Sequence, residues 1–394
     1  MDLEGCFFDA DVELTKMKRT IVTRLTLTLL AVGLASPALA VDGVLEINQT
    51  CAVNTGCFSG DPAGFPVTIF PVTITGAAGH SYRLTSDLNV DQSTDAILVM
   101  QANNVSIDLN GFSIVGPVTC SGSPVACNPV GTGNGVASMG DPPVRGVSLK
   151  NGSITGMGNN GVILADQSAI TNLRVSNNRG YGIYVSAGST VSGNHAELNG
   201  GGGVYAGDGS TVLGNTANGN GSSGITTNHR STVKGNTTAS NTGHGIQATS
   251  QSTVLENNAS GNTSTGIWLT GAGNTVKDNT ASTNGSRGIS TGSGSTLIGN
   301  TAYNNTAAGI HVGGYGSTVK NNSTRSNGSD GITVDGNGSN IRDNTSRDNS
   351  GYGLNISGST ESGYGGNVFS NNSSGHVNGG TQLGENLCGG SICP

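Results

Sequence analysis

Tyr184, Tyr205, Trp268 and His311 hold one place in a phrase that the chain repeats. Each stands between two residues of a short β-branched or aliphatic stretch, as in Ile183-Tyr184-Val185 and Ile267-Trp268-Leu269. If each stretch is a strand, all four point to the same side, because side chains alternate with a period of two. Thr226, Gln247, Ser290, Thr333 and Asn355 fill the same place in the other copies. Flat rings in a row suit stacking on sugar faces, and Trp268 is the only tryptophan of the chain. The file is therefore a candidate glycan-binding surface. Its competitor is the ordinary preference of aromatics for strands, with Tyr184 and Tyr205 packing on each other.

Glu256 and Asp278 follow the second stretch of adjacent copies, about one strand spacing apart. Two carboxylates so placed repel unless a cation or a basic residue lies between them. Calcium, which takes several oxygen ligands, is the one cofactor the pair admits. Two solvated carboxylates beside Lys234 and Lys277 are the favoured reading. Asp330 and Asp335 flank Gly-Ile-Thr-Val with no carboxylate or histidine partner evident in register. A glycosidase needs two placed carboxylates, and no catalytic residue is assigned. His244 in "NTGHGI" is read as a turn residue.

The cysteines fall in close couples: Cys51 with Cys57, Cys120 with Cys127, Cys388 with Cys393. No couple is C-x-x-C or has a histidine at ligand spacing, so three local disulfides are expected rather than zinc. They fit an oxidising compartment. "MKRTIVTRLTLTLLAVGLASPALA" from Met17 reads as a secretory signal, with a basic start, an apolar run and small residues up to Ala40. Residues 1–16 are read as a misassigned start, with Met17 the initiator, and residues 17–40 as the signal. The apolar run is too short for a good membrane span, so none is expected after its removal. A secreted or periplasmic location follows. The formal charge is −7, thinly spread with no basic stripe, which argues against nucleic acid as a partner. Oligomeric state is not legible.

The elements that must position these residues follow from the repeat. Glycine followed by an aliphatic recurs at Gly161, Gly182, Gly203, Gly224, Gly245, Gly266, Gly288, Gly309, Gly331 and Gly353, every 21 or 22 residues. Such a period marks a solenoid. The stretches are short, β-branched and alternating, with glycine and asparagine between them, which is strand chemistry. Ile183 with Val185, then Val191, then Ala196 supply three inward rows, so three strands per coil make a right-handed parallel β-helix. Two asparagine files, one through Asn194, Asn215 and Asn236 and one through Asn178, Asn199 and Asn220, are read as stacked turn residues. Their amides would bond along the file, and asparagine tolerates the left-handed conformation of sharp turns. The expected organisation is an N-terminal cap at 41–104, the β-helix at 105–357 with an excursion at 117–144, and a C-terminal cap at 358–394.

"NNVSIDLNGFSIVG" from Asn103, followed by the glycine–asparagine coils, resembles the parallel β-helix repeats of the carbohydrate-binding and sugar-hydrolase type. Such repeats occur in pectate lyases, mannuronan epimerases and periplasmic copper-site maturation proteins of nitrous oxide reductase. The chain as a whole resembles secreted bacterial β-helix repeat proteins of unassigned function. The resemblance implies the fold from Val105 to Ile356 and a link to extended glycans. The Asp-Pro-His-Asp stretch of the epimerases is absent, as are the Asn-Thr-Asp and paired Asp-Asp of polygalacturonases, whose Gly-His-Gly element His244 resembles. The expectation is a non-catalytic binding module for extended polysaccharide. A lyase, hydrolase or epimerase with a lateral groove, and a structural or adhesive rod, are the alternatives.

Overall fold

The computed structural model describes residues 43–54, 56–57, 70–75, 80–357 and 361–393. The expected start, the signal and Cys6 lie outside them. The coils lie in the unit of residues 46–394.

One coil shows why the repeat folds as it does. Ile183–Val185, Thr190–Ser192 and His195–Glu197 are three-residue strands separated by tight turns. Within them Ile183, Val185, Val191 and Ala196 point inward and are fully buried. The next coil places like on like: Ile183 faces Val204, Val191 faces Val212 and Ala196 faces Ala217, all in parallel pairing. No single coil encloses a core. Stacking turns each inward position into a continuous apolar row. The first strand of every coil joins a 14-stranded sheet, and the other two join a 28-stranded sheet. The architecture is the all-β right-handed parallel β-helix expected.

The asparagine files are hydrogen-bonded ladders. Asn236 is representative: its Nδ2 donates to Asn257 Oδ1, Val212 O and Lys234 O, each at 3.0 Å. Its Oδ1 accepts from Asn215 N–H at 2.8 Å and Asn215 Nδ2 at 3.0 Å. The second file does the same through Asn199, Asn220 and Asn241. These amides are buried and satisfied, as buried polar groups must be.

One expectation about the ladders is corrected. The ladder asparagines do not themselves turn left-handed; from Asn178 to Asn372 the residue before each does. Leu198, Ser240, Thr283 and Asn304 have φ of 52–56°, immediately before Asn199, Asn241, Asn284 and Asn305. Glu256 and Asp278, with φ of 57° and 55°, precede Asn257 and Asn279, where Gly235 and Gly299 stand in other coils. The ladder residue must aim its amide along the stack, so the reversal falls one position earlier.

The coils extend past the boundaries read from sequence. Val72–Thr75 and Ile97–Met100, inside the stretch expected as a cap, pair in parallel with each other, and Ile97–Met100 pairs onward with Val136–Met139. Val136–Met139 lies within the expected excursion yet serves as a coil strand, pairing with Val162–Leu164. What departs from the stack is the antiparallel hairpin of Thr119–Ser121 and Ala126–Asn128, closed by the Cys120–Cys127 disulfide. At the other end Val368–Ser370 pairs with Leu387–Cys388, which turns back on Ser391–Ile392 beside the Cys388–Cys393 disulfide. Cys51–Cys57 is the third disulfide, next to the short helix Gln49–Asn54.

Candidate functional site

The outward file of the 14-stranded sheet is in register throughout. Tyr184 faces Tyr205, Tyr205 faces Thr226, Thr226 faces Gln247 and Gln247 faces Trp268. The file continues through Ser290, His311, Thr333 and Asn355. Each member is the middle residue of a strand whose flanking residues point inward, so the pleat turns it outward, with Ser290 covered by its neighbours.

Two groups of rings stand on this file. Tyr184 and Tyr205 stack with centroids 4.4 Å apart and planes 9° from parallel. Tyr181 meets both edge-on, at 5.7 and 5.9 Å. Burial, together with the neighbouring phenols Tyr205 and Tyr181, pushes the Tyr184 hydroxyl pKa up, so it stays neutral. Three coils on, about 14 Å along the axis, the Trp268 ring lies 4.3 Å from that of His244. His244 Nδ1 accepts the Thr265 N–H at 3.2 Å, and burial pushes the imidazole pKa down. All five side chains are half-buried, with part of each ring open.

The next group is polar. His311 Nε2 is 2.9 Å from Asp335 Oδ2, and its Nδ1 is 3.3 Å from Ser290 Oγ. Ser357 Oγ donates a short hydrogen bond to the other Asp335 oxygen. The expectation that Asp335 lacks a histidine partner is therefore corrected: from the last position of the strand Ile332–Asp335, the carboxylate reaches back one coil to His311. Burial pushes the His311 pKa down and the Arg287 charge adds to this, against the opposing pull of Asp335. Burial pushes the Asp335 carboxyl up, but hydrogen bonds from Ser357 and His311 and the positive charge nearby outweigh it and hold it below the usual range. A neutral imidazole fits the geometry: Nε2–H donates to Asp335 while Nδ1 accepts from the Ser290 hydroxyl.

Asp330 is engaged structurally. It is buried and accepts from Tyr352 N–H at 2.8 Å, Thr333 Oγ1 at 3.2 Å and Asn355 Nδ2 at 2.8 Å. Glu256 and Asp278 lie elsewhere, exposed at turns after second strands. Glu256 pairs with Lys234 at 3.3 Å and Asp278 with Lys277 at 3.5 Å. Among the described residues no three His, Cys, Asp or Glu side chains gather as a metal site.

Tyr181, Arg287 and Asp335 were missed as site residues. The first two share a signal: the residue before each marker glycine forms its own register, through Tyr181, Ser223, His244, Arg287 and Asp330. That register borders the outward file and varies as freely.

Fold and face together define a β-solenoid with a ring-bearing, polar lateral surface. The family described as the right handed beta helix region matches residues 134–281 and 249–386, and the chain belongs to it. No curated protein sequence matches the chain. Among solved structures it is similar to the A-module of the Azotobacter vinelandii mannuronan C-5 epimerase AlgE6, at 15% identity over 81% of this chain and 91% of that one, with a TM-score of 0.48. It is similar to the periplasmic alginate epimerase AlgG at 13% identity, over 87% and 83% of the two chains, with a TM-score of 0.40. The Dettilon tailspike protein is similar at 16% identity, over 76% of this chain and 60% of that one, with a TM-score of 0.47.

Proposed function

We propose that the protein binds an extended polysaccharide along the outward face of the 14-stranded sheet, in a secreted or periplasmic setting. One observation carries this reading: two half-exposed ring platforms, Tyr181–Tyr184–Tyr205 and His244–Trp268, stand on one face in fixed register. Rings of this kind stack on the apolar faces of sugars. Thr226 and Gln247 lie between the platforms and offer hydrogen bonds to a chain that spans them. Three disulfides are in keeping with an oxidising compartment.

The test is a glycan-array screen of the chain from Val41, with and without calcium, repeated with Trp268→Ala. Retention of one polysaccharide class, weakened about thirtyfold in the variant as for a central aromatic anchor, is the expected result. Retention that Trp268→Ala leaves untouched, with Tyr205→Ala equally silent, would reduce the rings to mutual packing. Loss of retention on chelation, reversed by calcium and abolished in Glu256→Gln, would give the Glu256–Asp278 pair its cation.

A further inference from the structure

Ser290, His311 and Asp335 come from three successive coils, in Ile289–Thr291, Ile310–Val312 and Ile332–Asp335. They form an alcohol, an imidazole and a carboxylate in line, at 3.3 and 2.9 Å. A nucleophile within reach of a base, and a base oriented by a third group, is the geometric signature of an activated alcohol. The alcohol lies on Nδ1 and the carboxylate on Nε2, the reverse of the nitrogen usage in the serine-protease triad. Ser290 is 4% exposed. It faces Trp268 on one side of the ladder and His311 on the other, so it stands between two ring-bearing positions. Arg287, three residues earlier, is half-buried and has no carboxylate within ion-pair distance among the described residues. Its charge is felt at both His311 and Asp335. A guanidinium with no carboxylate within ion-pair distance, whose charge acts on this imidazole, is available to stabilise a developing oxyanion.

We propose that Ser290, His311 and Asp335 together hydrolyse acyl esters carried on sugar hydroxyls. The choice of a sugar ester rests on the glycan-binding reading; the reactivity of Ser290 does not. Ser290 Oγ bonds to the ester carbonyl carbon as its proton passes to His311 Nδ1. The carbonyl oxygen takes the negative charge beside Arg287. Collapse breaks the bond to the sugar oxygen, which takes the proton back from His311. Water then adds to the acyl-serine, giving its proton to His311 Nδ1. Ser290 departs with that proton and the carboxylic acid is released. Ester and water become alcohol and acid with no change of oxidation state. Asp335 is a positioning residue: it holds Nε2–H so that Nδ1 faces Ser290, and it stays ionised.

The experiment treats the chain from Val41 with a fluorophosphonate probe and, separately, with p-nitrophenyl acetate, neither of which contains a sugar. Mass spectrometry is expected to find the adduct on Ser290, and Ser290→Ala to lose both adduct and hydrolysis. His311→Asn is expected to slow hydrolysis by on the order of a hundredfold or more. Asp335→Asn should lower kcat with KM unchanged. The wild-type rate should rise with pH through a midpoint below the ordinary imidazole value, since burial and Arg287 disfavour the charged ring and only the neutral ring accepts a proton. Asp335→Asn should move that midpoint lower still. Thermal melts establish that each variant is folded. A folded wild type that forms no adduct at Ser290, and hydrolyses the ester no faster than Ser290→Ala, overturns the proposal. Acetate release from an acetylated polysaccharide, absent in Ser290→Ala, supports the substrate class. Hydrolysis of the small ester alone, with none from any polysaccharide the protein retains, overturns that class while leaving the nucleophile.

Discussion

At the scale of single residues, the ladder asparagines are wholly engaged in holding the turns. Asn236 uses its amide to hold five polar contacts inside the turn, with no atom left for a ligand. Replacing it with alanine strands the Asn215 backbone N–H and one N–H of the Asn215 amide in a buried site. Each stranded group costs about 1–3 kcal/mol, so Asn236→Ala should lower stability by at least about 2 kcal/mol in urea unfolding. His244 and His311 give the residue scale a pH dependence. Their folded pKa values lie below the unfolded value, so the unfolded chain takes the proton first. The stability they confer is complete above the ordinary imidazole pKa and is lost as pH falls through it. The urea midpoint should therefore drop on mild acidification, and less so in His244→Gln. The aromatic file was legible because it shares the repeat's phase. The His311–Asp335 contact was not, because it joins two different phases: the middle of one strand and the end of the corresponding strand one coil on.

The coil as an element was legible from its period, inward rows and polar ladders. The marker glycine was visible as a signal without a reason, which packing supplies. A Cβ on Gly245 would meet Gly266 O at 2.6 Å, Asn262 Nδ2 at 2.7 Å and Thr238 Oγ1 at 2.7 Å. The coil therefore closes only where the backbone comes this near to the ladder, and no sequence count reveals a distance. The turns hold the other hidden feature. Leu198 is left-handed at φ 52° and 44% exposed, where Asn304 stands in another coil. An aliphatic residue gains nothing there to offset the steric penalty of about 1–2 kcal/mol. Leu198→Asn should raise stability by about 1 kcal/mol, read as a higher Tm.

For the whole molecule, each coil contacts its neighbours and no others, so stability should behave as a sum of coils and interfaces. Removing residues 215–235 joins Gly214 to Asn236 and deletes one period between the two ring platforms without breaking any row. The shortened protein should fold, with a sheet-dominated circular dichroism spectrum and a cooperative melt. Its two ring platforms should stand about 4.8 Å closer, so the preferred glycan length should fall by about one sugar. A protein that unfolds on this deletion would show that the coils are not interchangeable. The ends were the least legible part. Boundaries drawn where the phrase loses its wording missed strands such as Val72–Thr75, which keep the pairing without the consensus.

The ladders also run one way. In both files the Nδ2 of one coil donates to the Oδ1 of the next toward the C-terminus, from Asn194 to Asn386 and from Asn178 to Asn372. Parallel amide dipoles add and polarise one another, as peptide dipoles do in a helix. The stack therefore has an electrical head and tail that owe nothing to its formal charges. A polysaccharide has a reducing and a non-reducing end, and bound along this scaffold as proposed it would meet the two directions unequally.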